Sequence, residues 1–375
     1  MRKEGCPVDI TDIKAENIKK ILTVLRFSSG LTKRDLASIV GLSFSTVSNL
    51  CNELKDCQVL YEEKSSDYSV GRTPNRLIFR CEKFCSICAD LQEENLLHLA
   101  VLDFSNRQLF QHTYDISGFT HVEQLITQIS NVYQSLRSDP AFREVQFIGI
   151  GVSVPAIYDQ RTRRVVNATS PLFNDTPLRD LLSQRLQLPC YVDNEANLCA
   201  LSMRQSHTDS DNILYLHSSA GLGVGVVCDG KILRGSNGYA AEIAHIPLGD
   251  PEIRCPFCHS FGCIENDLSQ RGMDIFHFPG LSPDERQRLL EDRGRKLGEL
   301  ISILVNLFDP SVLYVGGSGL VEYPSLAPYV EQVLRARSAM IMERGLPIVH
   351  DTNSLQTIEQ GIIQVTYEKW DPLAL

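Results

Sequence analysis

The stretch from Gly221 to Glu265 constrains this chain more than any other, because a glycine turn, polar pocket residues and a metal-type ligand set follow one another in a single run. It opens with Gly221, Gly223 and Gly225, directly after the apolar run Ile213 to Leu216. Gly235, Gly238, Glu242 and His245 come next, and Cys255, Cys258, Cys263 and Glu265 close it. Zinc favours thiolate and imidazole in a tetrahedron, and Cys-x-x-Cys spacing lets one turn offer two sulfurs to the same ion. His245, Cys255, Cys258 and Cys263 make four such ligands, and Gly262 frees the backbone to turn back onto the metal. The competing reading is buried free thiols beside a core histidine. The other cysteines show no pairing logic, which suits a reducing cytoplasm better than a disulfide framework.

A chain of 375 residues is long enough for two or three domains. Its net charge of −10 is unevenly spread: residues 1–80 carry 13 Lys/Arg against 10 Asp/Glu, the remainder 23 against 36. An acidic body is not a general polyanion binder, so nucleic-acid contact is assigned to the first eighty residues. No apolar run approaches a membrane span, and the N-terminus lacks a signal-peptide core. A cytoplasmic protein with no membrane partner is expected.

Apolar positions Ile13, Ile18, Ile21, Leu22 and Leu25 recur at helical spacing, predicting a first helix from about Ile13 to Phe27. Thr32 with Asp35 reads as a capping box for a second, short helix whose inner face is Leu36, Ile39 and Val40, stopped by Gly41. Ser43 begins a third helix, Phe44 to about Cys57, with Val47, Leu50 and Leu54 inward. Two short helices joined through a glycine turn make a helix-turn-helix. Ser45, Thr46, Ser48 and Asn49 on its outward face suit base edges, and Thr32, Lys33, Arg34 and Ser43 suit the backbone of operator DNA. Strand-like runs Val59 to Glu62 and Leu77 to Phe79 flank a polar loop and suggest a wing, with Arg72 or Arg76 reaching a minor groove or phosphate. A small dimerisation module with solvated charges is the bland alternative.

In the body, Ser86 to Leu91 and Leu96 to Asp103 read as a hairpin. Cys81, Cys85 and Cys88 have cluster-like spacing, but Cys85 and Cys88 on a strand face opposite ways, so they are read as structural. A helix from about Val122 to Leu136 and a buried strand, Gln146 to Val154, follow. A long helix from about Glu285 to Leu307 precedes a buried strand, Ser311 to Val315, and an amphipathic helix from about Ser354 to Tyr367 ends the chain.

The Gly221–Gly225 turn, the run ending at Glu242 and His245, and the cysteine cluster together resemble the ROK family of sugar kinases and sugar-responsive repressors. The resemblance extends over nearly the whole chain. The family's cluster is Cys-x-Cys-Gly-x-x-Gly-Cys-x-Glu. Cys258, Gly262, Cys263 and Glu265 stand in register, whereas Pro256 replaces the first cysteine, Cys255 comes one residue early, and His259 replaces a glycine. The resemblance implies an α/β fold with an N-terminal winged helix-turn-helix and a two-lobed, actin-like (sugar kinase/ribonuclease H-like) body. The expected division is 1–80 for the head, 81–190 with about 354–375 for the first lobe, and 191–353 for the second.

In the kinase branch the first phosphate loop is Asp-x-Gly-Gly-Thr, whose glycines let backbone N–H groups close on phosphate. Here Asp90 is followed by Leu91, Gln92, Glu93 and Glu94, so two carboxylates stand where phosphates would lie. Repulsion at about 4 Å costs roughly 1–4 kcal/mol per charge pair, which disfavours ATP. Asp193, Asn194, Glu195, Ala196 and Asn197 resemble the family's Glu-Asn-Asp-Ala-Asn, with Glu195 where the kinases place their catalytic base. Its extra methylene shifts the oxygens from the geometry a base needs. The sugar-contact loop of the family corresponds to Asn167 to Leu178, where Thr169, Ser170 and Pro171 replace its usual residues and Ser170 could still touch a hydroxyl. A sugar or sugar derivative is therefore expected on Asn194, Glu195, Glu242, His245 and Glu265, with zinc on His245, Cys255, Cys258 and Cys263.

These features predict a sugar-responsive repressor of sugar uptake or catabolism genes, without catalysis and acting as a homodimer or dimer of dimers. In some relatives a phosphotransferase-system protein replaces the small effector, so that partner stays open. The competing reading is an ATP-dependent hexose or N-acetylhexosamine kinase with an attached DNA-binding head, supported mainly by the Gly221–Gly225 turn.

Overall fold

The structure is a computed structural model that describes residues 10–28, 30–64, 75–168, 170–206, 211–273 and 280–374. Gly71 to Pro74, including Arg72, and Thr169 lie outside the described residues. The head comprises helices α1 (Ile10–Phe27), α2 (Lys33–Val40) and α3 (Phe44–Asp56) and strands β1 (Leu60–Lys64) and β2 (Asn75–Phe79). Thr32 Oγ1 accepts from Asp35 N at 3.2 Å while Asp35 Oδ2 accepts from Thr32 N at 3.1 Å, closing the expected capping box of α2. Gly41, at φ +69°, ends that helix in the left-handed region. Ser43 caps α3 by accepting from Thr46 N at 3.1 Å, and Val47, Leu50 and Leu54 are buried.

Two apolar assignments in the head are corrected. Ile39 is 58% exposed and Ile13 46% exposed, because Leu36 and Ala37 fill the inner face of the short α2 and Ile18 takes the inward place in α1. The wing strands pair antiparallel, from Leu60 opposite Phe79 to Lys64 opposite Asn75.

The body holds two five-stranded sheets with the same wiring. The first is built from β3 (Phe84–Asp90), β4 (Leu96–Asp103), β5 (Gln108–Asp115), β6 (Gln146–Val154) and β9 (Cys190–Asn194), ordered β5-β4-β3-β6-β9. Helices α4 (Val122–Ser138) and α5 (Leu178–Leu186) cover its outer face, and a small hairpin, β7 (Ile157–Asp159) with β8 (Arg164–Val166), extends from it. After α6 (Glu195–Ser206) comes the second sheet, of β10 (Ile213–Ser218), β11 (Leu222–Cys228), β12 (Lys231–Ile232), β13 (Val312–Gly316) and β14 (Ile348–Asp351), ordered β12-β11-β10-β13-β14. In each, a three-strand antiparallel meander continues into two parallel strands. Parallel neighbours require a crossover, which is why helices separate those strands in sequence. Short helices α7 (Glu265–Leu268) and α8 (Gln270–Met273) lead to α9 (Pro283–Phe308), α10 (Tyr323–Arg337) and α11 (Ala339–Glu343), which pack on the second sheet. Helix α12 (Ser354–Lys369) returns to the first.

Helices α6 and α12 lie between the sheets and touch each other. A Cβ on Gly225 of β11 would strike the carbonyl of Ala196, and one on Gly361 of α12 would strike that of Leu198. Helix α6 is therefore seated between two glycine contacts. Cys85 faces the outer core of the first lobe and Cys88 the opposite core, as their strand position requires.

Candidate functional site

A cavity of about 500 Å³ opens between the lobes and gathers Asn194, Glu195, Glu242, His245 and Glu265 on its wall. A second hollow, of about 610 Å³, sits on the outer surface of the first lobe beside Arg137 and Arg143. It holds none of the convergent carboxylates, so the cleft is the site where the chemistry concentrates.

Strand β9 and helix α6 deliver the first two residues. Asn194 Oδ1 accepts from Asn197 N at 2.8 Å, so it caps α6 as well as lining the cavity. Asp193 supports the turn by accepting from Asn194 N at 3.0 Å and Asn197 Nδ2 at 2.9 Å. Glu195 then opens α6 at the cavity floor, only 6% exposed, and its Oε1 has no hydrogen-bond partner. Burial, with Asp90 and Glu242 nearby, pushes its carboxyl up to about 8. Glu242 is enclosed by protein but reached by water through the open cavity. Burial and the neighbouring Glu265 push it up to about 7.

His217, on β10, also lines this wall with 2% exposure and neither ring nitrogen partnered. Burial lowers it to about 4, so it is neutral. Sequence reasoning passed over His217, Tyr239 and Phe257, which line the cavity, and placed Asn167 in the sugar-contact loop without singling it out, although it lines the cavity too. For Asn167 a signal existed: asparagine tolerates the left-handed backbone, and Asn167 sits at φ +53°. Ser170 is absent from the wall; its Oγ instead accepts from Leu172 N at 3.3 Å.

Neither phosphate-type turn is open. Asp90 is buried at the end of β3, where burial pushes it up to about 6, and Glu93 and Glu94 are exposed beyond it. The expected Gly221–Gly225 turn is instead mostly strand: the chain reverses at Ser219 to Gly221, β11 begins at Leu222, and Gly223 and Gly225 pair with His217 and Tyr215 of β10. Leu222 N donates to Glu265 Oε1 at 3.3 Å, so a carboxylate already takes that amide. Gly223 and Gly225 face Ala196 and Ala200 of α6. Their missing side chains serve helix packing.

One wall of the cavity is a cysteine loop. The ligand atoms of His245, Cys255, Cys258 and Cys263 all lie within 4.8 Å of one another. Cys255 Sγ is 3.7 Å from His245 Nδ1, and Cys258 Sγ is 3.4 Å from Cys263 Sγ. A zinc–thiolate tetrahedron with bonds near 2.3 Å has edges of about 3.8 Å, so the set fits zinc with little adjustment. The early Cys255 reaches the cluster because the backbone folds tightly: Cys255 N donates to Ser260 O at 2.8 Å and His259 N to Cys255 O at 3.1 Å. His259 holds the left-handed conformation (φ +61°) in place of the glycine, as does Gly262 (φ +78°). A backbone N–H at Ser260 draws the Cys258 thiol down to about 7. Buried Asp267 ties this loop to α9, accepting from Asp250 N at 2.9 Å, from Lys296 Nζ at 3.1 Å and from Arg293.

The lobes are latched beside the cavity. Arg234 pairs with Asp193 across the cleft, Gln160 N donates to Asn237 O at 3.0 Å, and Tyr239 Oη donates to Asp159 Oδ2 at 3.4 Å. Gly238, at φ +97°, lies against the carbonyl of Tyr158, where no side chain fits.

In the head, Ser45 and Asn49 are exposed on α3, with Thr46 and Ser48 half-buried, and Arg34 is exposed on α2. Ser43 Oγ is shared with Ser45 Oγ at 2.9 Å and Thr46 Oγ1 at 2.8 Å. Lys33 is turned inward on the head, donating to Asn52 Oδ1 at 3.0 Å and pairing with Glu62 at 3.4 Å. Arg76 packs its stem against Gly30.

Comparison with known proteins places these features. The ROK family model matches residues 95–339. The chain is 24% identical to the xylose repressor of Caldicellulosiruptor bescii, covering 90% of this chain and 92% of that protein. It is 29% identical to an N-acetyl-D-glucosamine kinase of Pectobacterium carotovorum subsp. carotovorum, covering 67% of this chain and 87% of the kinase. A crystal structure of a ROK family transcriptional regulator, a homologue of the E. coli MLC protein, superimposes with a TM-score of 0.80 at 21% identity, covering 95% of this chain and 97% of that one.

Proposed function

The chain belongs to the ROK family, and from that premise we propose that it is a sugar-responsive, DNA-binding transcriptional repressor of sugar uptake and catabolism genes. The observation that carries this reading is the packing path from the cavity to the head. Helix α6 begins with Glu195 in the cavity floor and runs against α12, with Ser202 Oγ 3.2 Å from Gln360 Oε1. Helix α12 ends against α1, where Lys19 Nζ donates to the terminal carbonyls of Tyr367 (2.5 Å) and Trp370. Arg26 of α1 reaches Phe104 O, Asn106 Oδ1 at 3.1 Å and Gln364 Oε1 at 3.1 Å. A sugar that favours one lobe arrangement moves α6, and with it the seat of the DNA-binding helices.

Carboxylates accept bonds from adjacent hydroxyls, so Glu195, Glu242 and Glu265 hold the sugar with Asn194, and His245 shares this wall. His245, Cys255, Cys258 and Cys263 hold zinc. With all four positions filled by protein the metal is structural and supplies loop rigidity rather than an open Lewis-acid site. The reading as a regulator without catalysis is supported by Glu195 at the place of a base, the acids after Asp90, and the Leu222 amide given to Glu265 where a phosphate turn was expected. On the DNA side, α3 presents Ser45, Thr46, Ser48 and Asn49 to the major groove, Thr32, Arg34 and Ser43 stand beside it, and Arg76 of β2, together with Arg72 from outside the described residues, serves a minor groove or phosphate. Lys33 joins the phosphate contacts by exchanging Glu62 for DNA. A homodimer or dimer of dimers reads a palindrome, the cytoplasm is the compartment, and a phosphotransferase-system protein is the partner to test if no sugar acts.

The test is footprinting of DNA around the chain's own gene, titrated with sugars in the absence of ATP. A sugar that shifts operator occupancy supports the proposal. Turnover of ATP with any sugar of the panel would overturn the non-catalytic reading, and absence of DNA binding would overturn the regulator.

A further inference from the structure

The cavity has two chemically distinct sides. Its floor carries polar atoms that are nine-tenths or more buried and lack partners, Glu195 Oε1 and both nitrogens of His217. Such atoms are costly to bury alone and await donors and acceptors from a ligand. Its mouth carries two aromatic rings, Tyr239 and Phe257, each 43% exposed. Neither ring is there by chance of the core. Phe257 lies between Cys255 and Cys258, so the cysteine loop itself delivers it to the cavity. Tyr239 follows Gly238 in the interlobe latch and is oriented by its bond to Asp159.

Charge on the wall is one-sided as well. Glu195, Glu242 and Glu265 line it, and among the described lining residues there is no lysine or arginine. The guanidinium of Arg234, beside the cleft, is engaged by Asp193. The amide at Leu222 is taken by Glu265. A phosphate or carboxylate group on the ligand would thus meet carboxyl groups without a cation.

Resting on the regulator reading above, we propose that Tyr239 and Phe257 are specificity-determining residues and that the effector is an uncharged, unphosphorylated sugar. The sugar presents its hydroxyls to the acids and His217 and lays an unbroken C–H face against the two rings. Ring faces carry negative quadrupole density and attract the weakly positive C–H edge of a pyranose. A ligand with an anionic substituent loses about tenfold or more in affinity, because its charge leaves water for a wall with no cation to pair with it.

Isothermal titration of the full-length, zinc-loaded protein tests this. The probes are D-xylose, D-glucose and N-acetyl-D-glucosamine, alongside glucose 6-phosphate and N-acetylglucosamine 6-phosphate. One neutral sugar binding, with both phosphates weaker by tenfold or more than that sugar, supports the inference. So does a loss of about tenfold in Tyr239→Ala and Phe257→Ala with retention in Phe257→Tyr. Metal content is measured on each variant, and Tyr239→Ala lies outside the cysteine loop, so a collapsed loop is not mistaken for a lost contact. A phosphate binding as tightly as its parent sugar overturns the charge argument while leaving a sugar-responsive regulator in place. Unchanged affinity in both alanine variants overturns the aromatic assignment. No heat from any probe, with operator binding intact, overturns this inference together with the sugar-responsive reading.

Discussion

The cavity floor and the joint between head and body are both buried and polar, yet they are finished differently. At the floor, Glu195 and His217 keep unpartnered atoms in the protein interior. At the joint, Lys19 and Arg26 reach acceptors in the turn after β4 and on α12 and its C-cap, inside a cluster of Phe79, Phe84, Phe104, Tyr367 and Trp370 rings. Lys19 also lies over the rings of Tyr367 and Trp370, at 4.9 and 5.6 Å from their centroids. The joint's cations are paired and the Trp370 Nε1 donor is left over there, whereas the floor's unpartnered atoms converge on a cavity that can admit a ligand. The floor is a site and the joint is a structural coupling.

Variants can break that contrast. The largest effect is expected from Cys258→Ser or Cys263→Ser, which remove a ligand and release the wall carrying His245 and Phe257. Zinc content by elemental analysis and the sugar response of operator binding should fall together, and full metal content would refute the ligand assignment.

Gly225→Ala comes next. Its Cβ meets Ala196 of α6, so overpacking should cost about 1–3 kcal/mol, seen as a lower denaturation midpoint. The displaced α6 should weaken sugar binding as well.

Lys19→Met acts at the joint alone. Losing charge-assisted bonds to the α12 carbonyls should cost about 2 kcal/mol. Sugar affinity by titration should remain while the effect of sugar on operator binding shrinks. An undiminished response would remove the joint from the route.

Glu195→Gln gives the smallest change at low pH and a growing one above it. The folded carboxyl sits at about 8 against an ordinary 4.5, so between those values the folded protein holds a proton the unfolded chain has released. The stability associated with Glu195 is therefore present below about pH 4.5 and lost as pH rises towards 8. Melting curves should show the glutamine variant gaining on the parent across that window, by an amount on the order of a few kcal/mol at its upper end. A constant difference would mean that Glu195 stays ionised.

Much of this molecule was legible before folding. The capping box at Thr32, the stop at Gly41 and the inward triplet Val47, Leu50 and Leu54 are local, and local chemistry decides them. The acids after Asp90 and the cluster spacing from Cys258 to Glu265 carried their meaning in the same way. Strand β5 was missed because an edge strand is exposed and lacks an apolar alternation, and β7 with β8 because three-residue strands leave no period. Ile39 was misplaced because a two-turn helix buries so narrow a face that one neighbour, Ala37, can take its position.

Sequence alone thus determined the kinds of elements, the family resemblance and the set of ligand-type residues, since these follow from neighbours along the chain. Tertiary structure decided which atoms were left without partners and which were already spent. That Glu265 takes the Leu222 amide, that Lys33 faces Glu62, that Cys255 reaches the cluster from one residue early, and that Tyr239 and Phe257 line one cavity all depend on segments remote in sequence or on backbone turns beyond a linear pattern. Hydrogen bonding and close packing are saturable, so what a residue is free to do is known only after its neighbours in space have been counted.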